Sequence, residues 1–82
     1  MRLDLALFEL RLFKSRSQAT AAIQAGHVSL NGAHIKPSHA LAVGDRITLE
    51  GRAGALEVLA LPRAGLSRDA ARALLREVGT GA

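Results

Sequence analysis

The 82-residue sequence has no cysteine, tryptophan or tyrosine and only two phenylalanines, Phe8 and Phe13. Without cysteine the chain forms neither a disulfide framework nor a thiolate metal site, which excludes cysteine-stapled scaffolds and thiolate zinc modules. The shortage of aromatic rings argues against stacking of splayed single-stranded bases on a sheet. Any nucleic acid partner is therefore expected to be held mainly through its phosphates and its shape.

Long hydrophobic runs are also absent, because Asp4 and Glu9 interrupt the apolar residues at the N-terminus. Neither a signal sequence nor a membrane span fits this pattern, so we expect a cytoplasmic protein without a membrane partner. A chain of this length forms one domain and buries only about 60% of the surface that its unfolded state exposes. A deep, enclosed active site is not expected.

Catalytic signatures are missing as well: there is no Gly-x-Ser-x-Gly and no glycine-rich loop ending in Lys-Ser or Lys-Thr. His27, His34 and His39 are separated by seven and five residues, a spacing that neither one helix nor one strand brings to convergence on a metal. We therefore expect no enzyme, no metal, no cofactor and no small-molecule substrate.

Positive charge is plentiful, with eleven Lys and Arg against seven Asp and Glu and a formal net charge of +4. The excess is +3 up to residue 40 and +1 afterwards. Such a balance favours a polyanionic partner.

Apolar spacing predicts two short helices at the start of the chain. Leu3, Leu7 and Leu10 recur at helical intervals, which indicates a helix over residues 3–12. Ser15, followed three residues later by Gln18, is a capping-box pattern, so a second helix is predicted from residue 15 to residue 25. Gly26 would close it as the left-handed C′ residue.

After Gly26 the periodicity drops to two, which predicts a strand over residues 28–30 and, through the Asn31-Gly32 turn, a second strand over residues 33–35. Further strands are predicted over residues 47–49 and 56–61. Ser67 is typical of an N-cap, and a terminal helix is expected to continue to residue 78. The prediction is an α+β fold, with a two-helix pair on a small antiparallel sheet and a short C-terminal helix. We expect one domain over residues 1–61 and a helical extension over residues 62–82.

Lys14 and Arg16 flank the predicted start of the second helix, where free amides and the positive end of the dipole favour an anion. The hairpin after Gly26 is expected to double back beside this helix, placing His27, Asn31 and Lys36 near the same rim. On composition alone, an ordinary solvated face is the better explanation of the cations.

The order of these motifs resembles the S4 RNA-binding domain over about residues 2–49. The matching parts are the Arg2-Leu3-Asp4 opening, Arg11-Leu12, the Ser15-to-Ala19 helix start, Gly26-His27-Val28, Asn31-Gly32, Lys36-Pro37-Ser38 and Val43-Gly44-Asp45. Short free-standing bacterial members linked to heat shock and ribosome quality control are most similar.

The resemblance implies a non-catalytic protein with the αL motif that binds structured rRNA or tRNA on the large ribosomal subunit, in rescue of stalled translation. Nothing suggests an obligate dimer, so a monomer is expected. A protein adaptor, or an RNA-binding regulator acting off the ribosome, is the alternative. The implied RNA contacts are Arg2, Arg11, Lys14, Ser15, Arg16, Gln18, Asn31 and Lys36. We add His27 and His34, which are expected on the RNA-facing hairpin, although an exposed polar strand position explains them equally well.

Arg68, Arg72 and Arg76 recur at intervals of four and form one stripe on the predicted terminal helix. Like charges at this spacing mildly destabilise a helix, so the three arginines need an explanation. In the structural explanation, Asp69 and Glu77 offset the repulsion between them. A secondary contact with RNA or a ribosomal protein is the functional one.

Overall fold

Two short helices, a four-stranded antiparallel sheet and a third short helix make up the fold, which a computed structural model describes for residues 1–79. The predicted extension includes residues 80–82, which lie outside the described part. The elements follow in the order α1 (Leu3–Glu9), α2 (Arg16–Gln24), β1 (Val28–Leu30), β2 (Arg46–Leu49), β3 (Ala55–Val58), α3 (Arg68–Arg72) and β4 (Leu75–Val78).

Helix α1 ends three residues earlier than the prediction of residue 12. Arg11 adopts a φ of 63°, its amide donates to the Phe8 carbonyl at 3.0 Å, and the Leu12 amide donates to the Leu7 carbonyl at 3.1 Å. This is a Schellman motif, in which a left-handed residue closes the helix. Glycine is the usual residue there, so the arginine gave no stop signal in the sequence.

Helix α2 begins as predicted, because the Oγ of Ser15 accepts a hydrogen bond from the Gln18 amide at 3.1 Å. It ends at Gln24, one residue early, and Gly26 at a φ of 82° closes it as expected. Ala19 and Ile23 are buried in the core that α1 and α2 share. The small alanine lets the two helices approach closely.

The sheet is a meander in the order β1-β2-β3-β4, with every neighbouring pair antiparallel. The strand predicted over residues 33–35 is wrong: Leu30 and Ala33 form an isolated bridge across the Asn31-Gly32 turn, and β1 pairs with β2 instead. The Lys36-Pro37 step follows closely, and proline cannot donate to a ladder. The second strand of the hairpin is therefore replaced by a loop that leaves the sheet.

The terminal helix predicted to reach residue 78 is also wrong, because α3 ends at Arg72 and residues 75–78 form β4. The strand predicted over residues 56–61 is shorter in the structure, where β3 ends at Val58. The open edge of β3 carries backbone donors and acceptors that need partners. β4 supplies them over four residue pairs, and the Leu59 amide donates to the Leu74 carbonyl at 2.8 Å. The division of the chain at residue 61 stays a prediction.

The core lies between the helix pair and the sheet, which confirms the α+β prediction. Its largest fully buried side chains are Leu3, Leu7, Val28, Ile47 and Val58. No helix in residues 1–79 has the length and apolar character needed to cross a membrane.

Candidate nucleic-acid interface

Asp4 is a buried carboxylate that joins the start of α1 to α2. Arg2 donates to it through Nε and Nη2 at 3.2 and 3.1 Å, and the Thr20 hydroxyl donates at 3.2 Å. The Arg16 guanidinium lies 3.6 Å from the same carboxylate. The carboxylate thereby fixes two arginines that are each about half-exposed, at 52% for Arg2 and 46% for Arg16.

The environment of Asp4 keeps it charged. Burial by itself raises the pKa of Asp4, but hydrogen bonds from Arg2, the Leu5 amide and Thr20, together with the charge of Arg2, lower it, and the pKa lies below its ordinary value. Asp4 is a positioning residue for the two guanidinium groups.

A shallow groove runs beside this cluster, between α2 and the loop that replaces the predicted hairpin strand. Arg2, Thr20, Gln24, His34 and Lys36 contribute polar groups to its lining, and within residues 1–79 no acidic residue lines it. We call these five residues together with Arg16 the helix–loop surface. It unites four predicted site residues: Arg2, Arg16, His34 and Lys36.

Three other predicted site residues perform local structural tasks. Ser15 caps α2 through the Gln18 amide, while the Gln18 side chain stays exposed. Asn31, at a φ of 52°, donates to Asp45 at 3.0 Å and accepts from the Arg46 amide at 2.9 Å. These bonds lock the end of β1 to the start of β2, so the Asn31 side chain is already engaged.

His27 lies apart from the helix–loop surface. Its Nε2 is 3.9 Å from the Glu50 carboxylate, and both side chains are exposed. Neither His27 nor Asn31 lines the groove that holds His34 and Lys36. The structure therefore separates residues that the sequence placed on one rim.

A second, larger groove of about 1070 Å³ separates the loop after α1 from α3 and β4. It contains Arg11 and Lys14 from the predicted set and Arg68 and Arg72 from the predicted stripe. We call this the basic groove; its lining is completed by Phe8, Leu10, Leu12, Phe13, Arg52, Leu56, Leu75 and Glu77.

Arg11 is a clamp inside the basic groove. Its Nε and Nη2 both donate to the Leu66 carbonyl, at 3.1 and 2.6 Å. The bond joins the loop after α1 to the segment that leads into α3, and so holds the two walls of the groove together. Two of the donors of Arg11 are therefore engaged.

The prediction that the three arginines share one face of a single helix is wrong. Arg68 and Arg72 lie on α3, whereas Arg76 lies on β4 and forms an ion pair with Glu57 of β3. Arg76 does not line the basic groove. The strand that replaces the helix changes the direction in which its side chain points.

The sequence-based site missed Thr20, Gln24 and Arg52. Thr20 and Gln24 continue the spacing of four that begins at Arg16, and this polar stripe along α2 was a detectable signal. Arg52 lies between Gly51 and Gly54 in the β2–β3 turn, and its ion pair with Glu77 of β4, at 2.9 Å, had no local signal. Within residues 1–79, no three His, Cys, Asp or Glu side chains are grouped as a metal site would require.

Comparison with known proteins finds a matching family and similar solved structures. Residues 1–47 match the S4 domain family. Among solved structures, the chain is similar to the trimeric structure of Heat Shock Protein 15 from Vibrio cholerae, with 30% sequence identity and a TM-score of 0.87. The match covers 95% of this chain and 81% of that chain. No curated protein matches the chain.

Proposed function

Since this chain belongs to the S4 domain family, as its motifs predicted, we propose that it is a non-catalytic protein that binds structured RNA through the helix–loop surface. The observation that carries this proposal is the convergence of Arg2, Arg16, His34 and Lys36. They come from three separate segments and meet beside a groove that no acidic residue in the described part of the chain lines. A solvated face would not require a buried carboxylate to hold two of these cations in place.

The chemistry of the helix–loop surface suits the outside of a folded RNA. Guanidinium and ammonium groups contact phosphates, while the Gln24 amide, the His34 ring and the Thr20 hydroxyl are suited to 2′-hydroxyls and base edges. No aromatic ring for stacking lines this surface except that of His34. Recognition by backbone and shape follows from this composition.

The specific partner we propose is rRNA or tRNA on the large ribosomal subunit, in rescue or quality control of stalled translation. The similarity to Heat Shock Protein 15, which extends over most of both chains, supports this choice. A ribosomal role places the protein in the cytoplasm. Its monomeric state stays a prediction, and because the similar Vibrio cholerae structure is trimeric, light scattering should measure the mass in solution.

Co-sedimentation with separated ribosomal subunits over a salt series tests the proposal, using large subunits with and without peptidyl-tRNA. We expect salt-sensitive binding that is strongest for occupied large subunits. An Arg16→Gln/Lys36→Gln variant should bind more weakly and lower the log-log salt slope by up to about 1.8, which is two phosphate contacts.

The matched control is Arg46→Gln/Arg63→Gln, which removes the same charge from two exposed residues that line neither groove. Equal losses in both variants would refute the helix–loop surface as the RNA site. Binding that survives nuclease treatment would instead favour the adaptor function.

A further inference from the structure

The positive charge of this protein is concentrated in the basic groove. Five cations line the groove, namely Arg11, Lys14, Arg52, Arg68 and Arg72, and Glu77 is the one acid that the structure places there within residues 1–79. The groove thus carries +4, which equals the formal charge of the whole chain. Six acids balance the other six cations. The largest excess of formal positive charge therefore lies in this groove and not at the helix–loop surface.

The cations of the basic groove divide into two groups. Arg11 and Arg52 hold the walls, through the Leu66 carbonyl and Glu77 respectively. Lys14, Arg68 and Arg72 are exposed, and among the described residues no acid lies within 4 Å of their charged groups. The first group builds the groove and the second is available to a ligand.

Arg68 and Arg72 are separated by one turn of a five-residue helix. Like charges four residues apart destabilise a helix, and a helix this short has little stability of its own to offset the repulsion. A bound polyanion would neutralise both charges. The pair is therefore better explained by a ligand than by the fold.

Phe8 and Phe13, the two aromatic residues of the chain, both line the basic groove. Phe13 packs against the buried core, whereas Phe8 is half-buried and lies outside that cluster. A ring of this kind beside cations is the arrangement that binds single-stranded nucleic acid, in which a base stacks on the ring and phosphates contact the cations.

We infer that the basic groove is a second RNA site, which takes a single-stranded segment with one base against Phe8 and its phosphates against Lys14, Arg68 and Arg72. The inference shares with the proposed function only the class of partner. An acidic peptide would satisfy the charges but would leave Phe8 without a role. A protein with both sites would prefer a folded RNA that carries a single-stranded extension.

Three RNA probes separate the two sites by fluorescence anisotropy: a blunt hairpin, the same hairpin with a uridine tail of about six nucleotides, and the free oligouridylate. In the wild-type protein we expect the tail to strengthen hairpin binding. The Arg68→Gln/Arg72→Gln variant should lose this gain, bind the blunt hairpin like the wild type, and lower the salt slope for oligouridylate by about 1.4. Phe8→Leu should weaken oligouridylate binding about fivefold, as expected for one lost stacked base.

The Arg46→Gln/Arg63→Gln variant is again the matched control, and thermal unfolding verifies that each variant is folded. The inference is refuted if the tail adds nothing in the wild type, or if the control loses the gain as completely as the groove variant. The inference is equally refuted if the groove binds polyglutamate but does not bind oligouridylate. If neither the wild type nor any variant binds the blunt hairpin, the proposed function fails. Binding of oligouridylate that depends on Arg68 and Arg72 would still support the basic groove as an RNA site.

Discussion

Replacing Asp4 by asparagine should lower stability and disorganise the helix–loop surface together. The carboxylate accepts two hydrogen bonds from Arg2, one from Thr20 and one from the Leu5 amide, and lies 3.6 Å from Arg16. An asparagine of the same shape has no charge, and whichever way its amide is turned it places a donor near existing donors. The two guanidinium groups would then lose the group that positions them.

The magnitude follows from these contacts. Because Arg2 and Arg16 are about half-exposed, solvent screens their pairs, and together they contribute about 1 kcal/mol. The loss of the Thr20 hydrogen bond and the burial of a poorly satisfied amide add about 1–2 kcal/mol. We expect Asp4→Asn to reduce the free energy of unfolding at pH 7 by about 2–3 kcal/mol.

The loss of stability in Asp4→Asn also depends on pH. The pKa of Asp4 is lowered in the folded protein, so its stabilising effect is present above the unfolded value of about 4 and is lost as the pH falls through the folded pKa. The difference between wild type and Asp4→Asn should therefore be constant near neutral pH and shrink in acid.

Urea denaturation from pH 2 to pH 7 measures both quantities. Glu9→Gln is the control, since it removes an acid from the same helix that makes no ion pair within residues 1–79; it should cost less than about 0.5 kcal/mol. A loss below that value in Asp4→Asn, or a loss that does not change with pH, would refute the argument.

Two further predictions concern β4 and the basic groove. Gly54→Ala should lower the free energy of unfolding by about 2–4 kcal/mol, because the added Cβ would lie 2.8 Å from the Val78 carbonyl oxygen at a φ of 75°. The control Gly51→Ala meets open space and should cost only about 1–2 kcal/mol. Equal losses of stability in urea denaturation would contradict this prediction. Arg11→Met should lower the free energy of unfolding by about 1–2 kcal/mol, because the hydrogen bonds to the Leu66 carbonyl are lost. Arg11→Gly should cost less, because glycine adopts the positive φ of this position without a steric penalty. A lower thermal midpoint for Arg11→Gly than for Arg11→Met would contradict this prediction.

The helix boundaries show how far local signals extend. Ser15 and Gly26 act within three or four residues of their own positions, and the structure confirms both. Arg11 closes α1 with the same backbone geometry as Gly26, and its side chain donates to the Leu66 carbonyl, 55 residues away. No local pattern reveals that partner.

The candidate site divides in the same way. The cations of the helix–loop surface were predicted from motif order, yet their grouping depends on the loop that replaces the expected hairpin strand. A charge count by halves placed the excess before residue 40. Folding instead brings Arg11 and Lys14 beside Arg52, Arg68 and Arg72.

The α+β class, the family and the capped helix α2 were predictable from the sequence, because periodicity, caps and turns act over a few residues. The tertiary structure makes residues 75–78 a strand, since the open edge of β3 provides backbone partners that a short isolated helix cannot match. It also decided where the charge lies. Side chains far apart in the chain share a groove only after β4 joins the sheet and Arg11 holds the segment before α3.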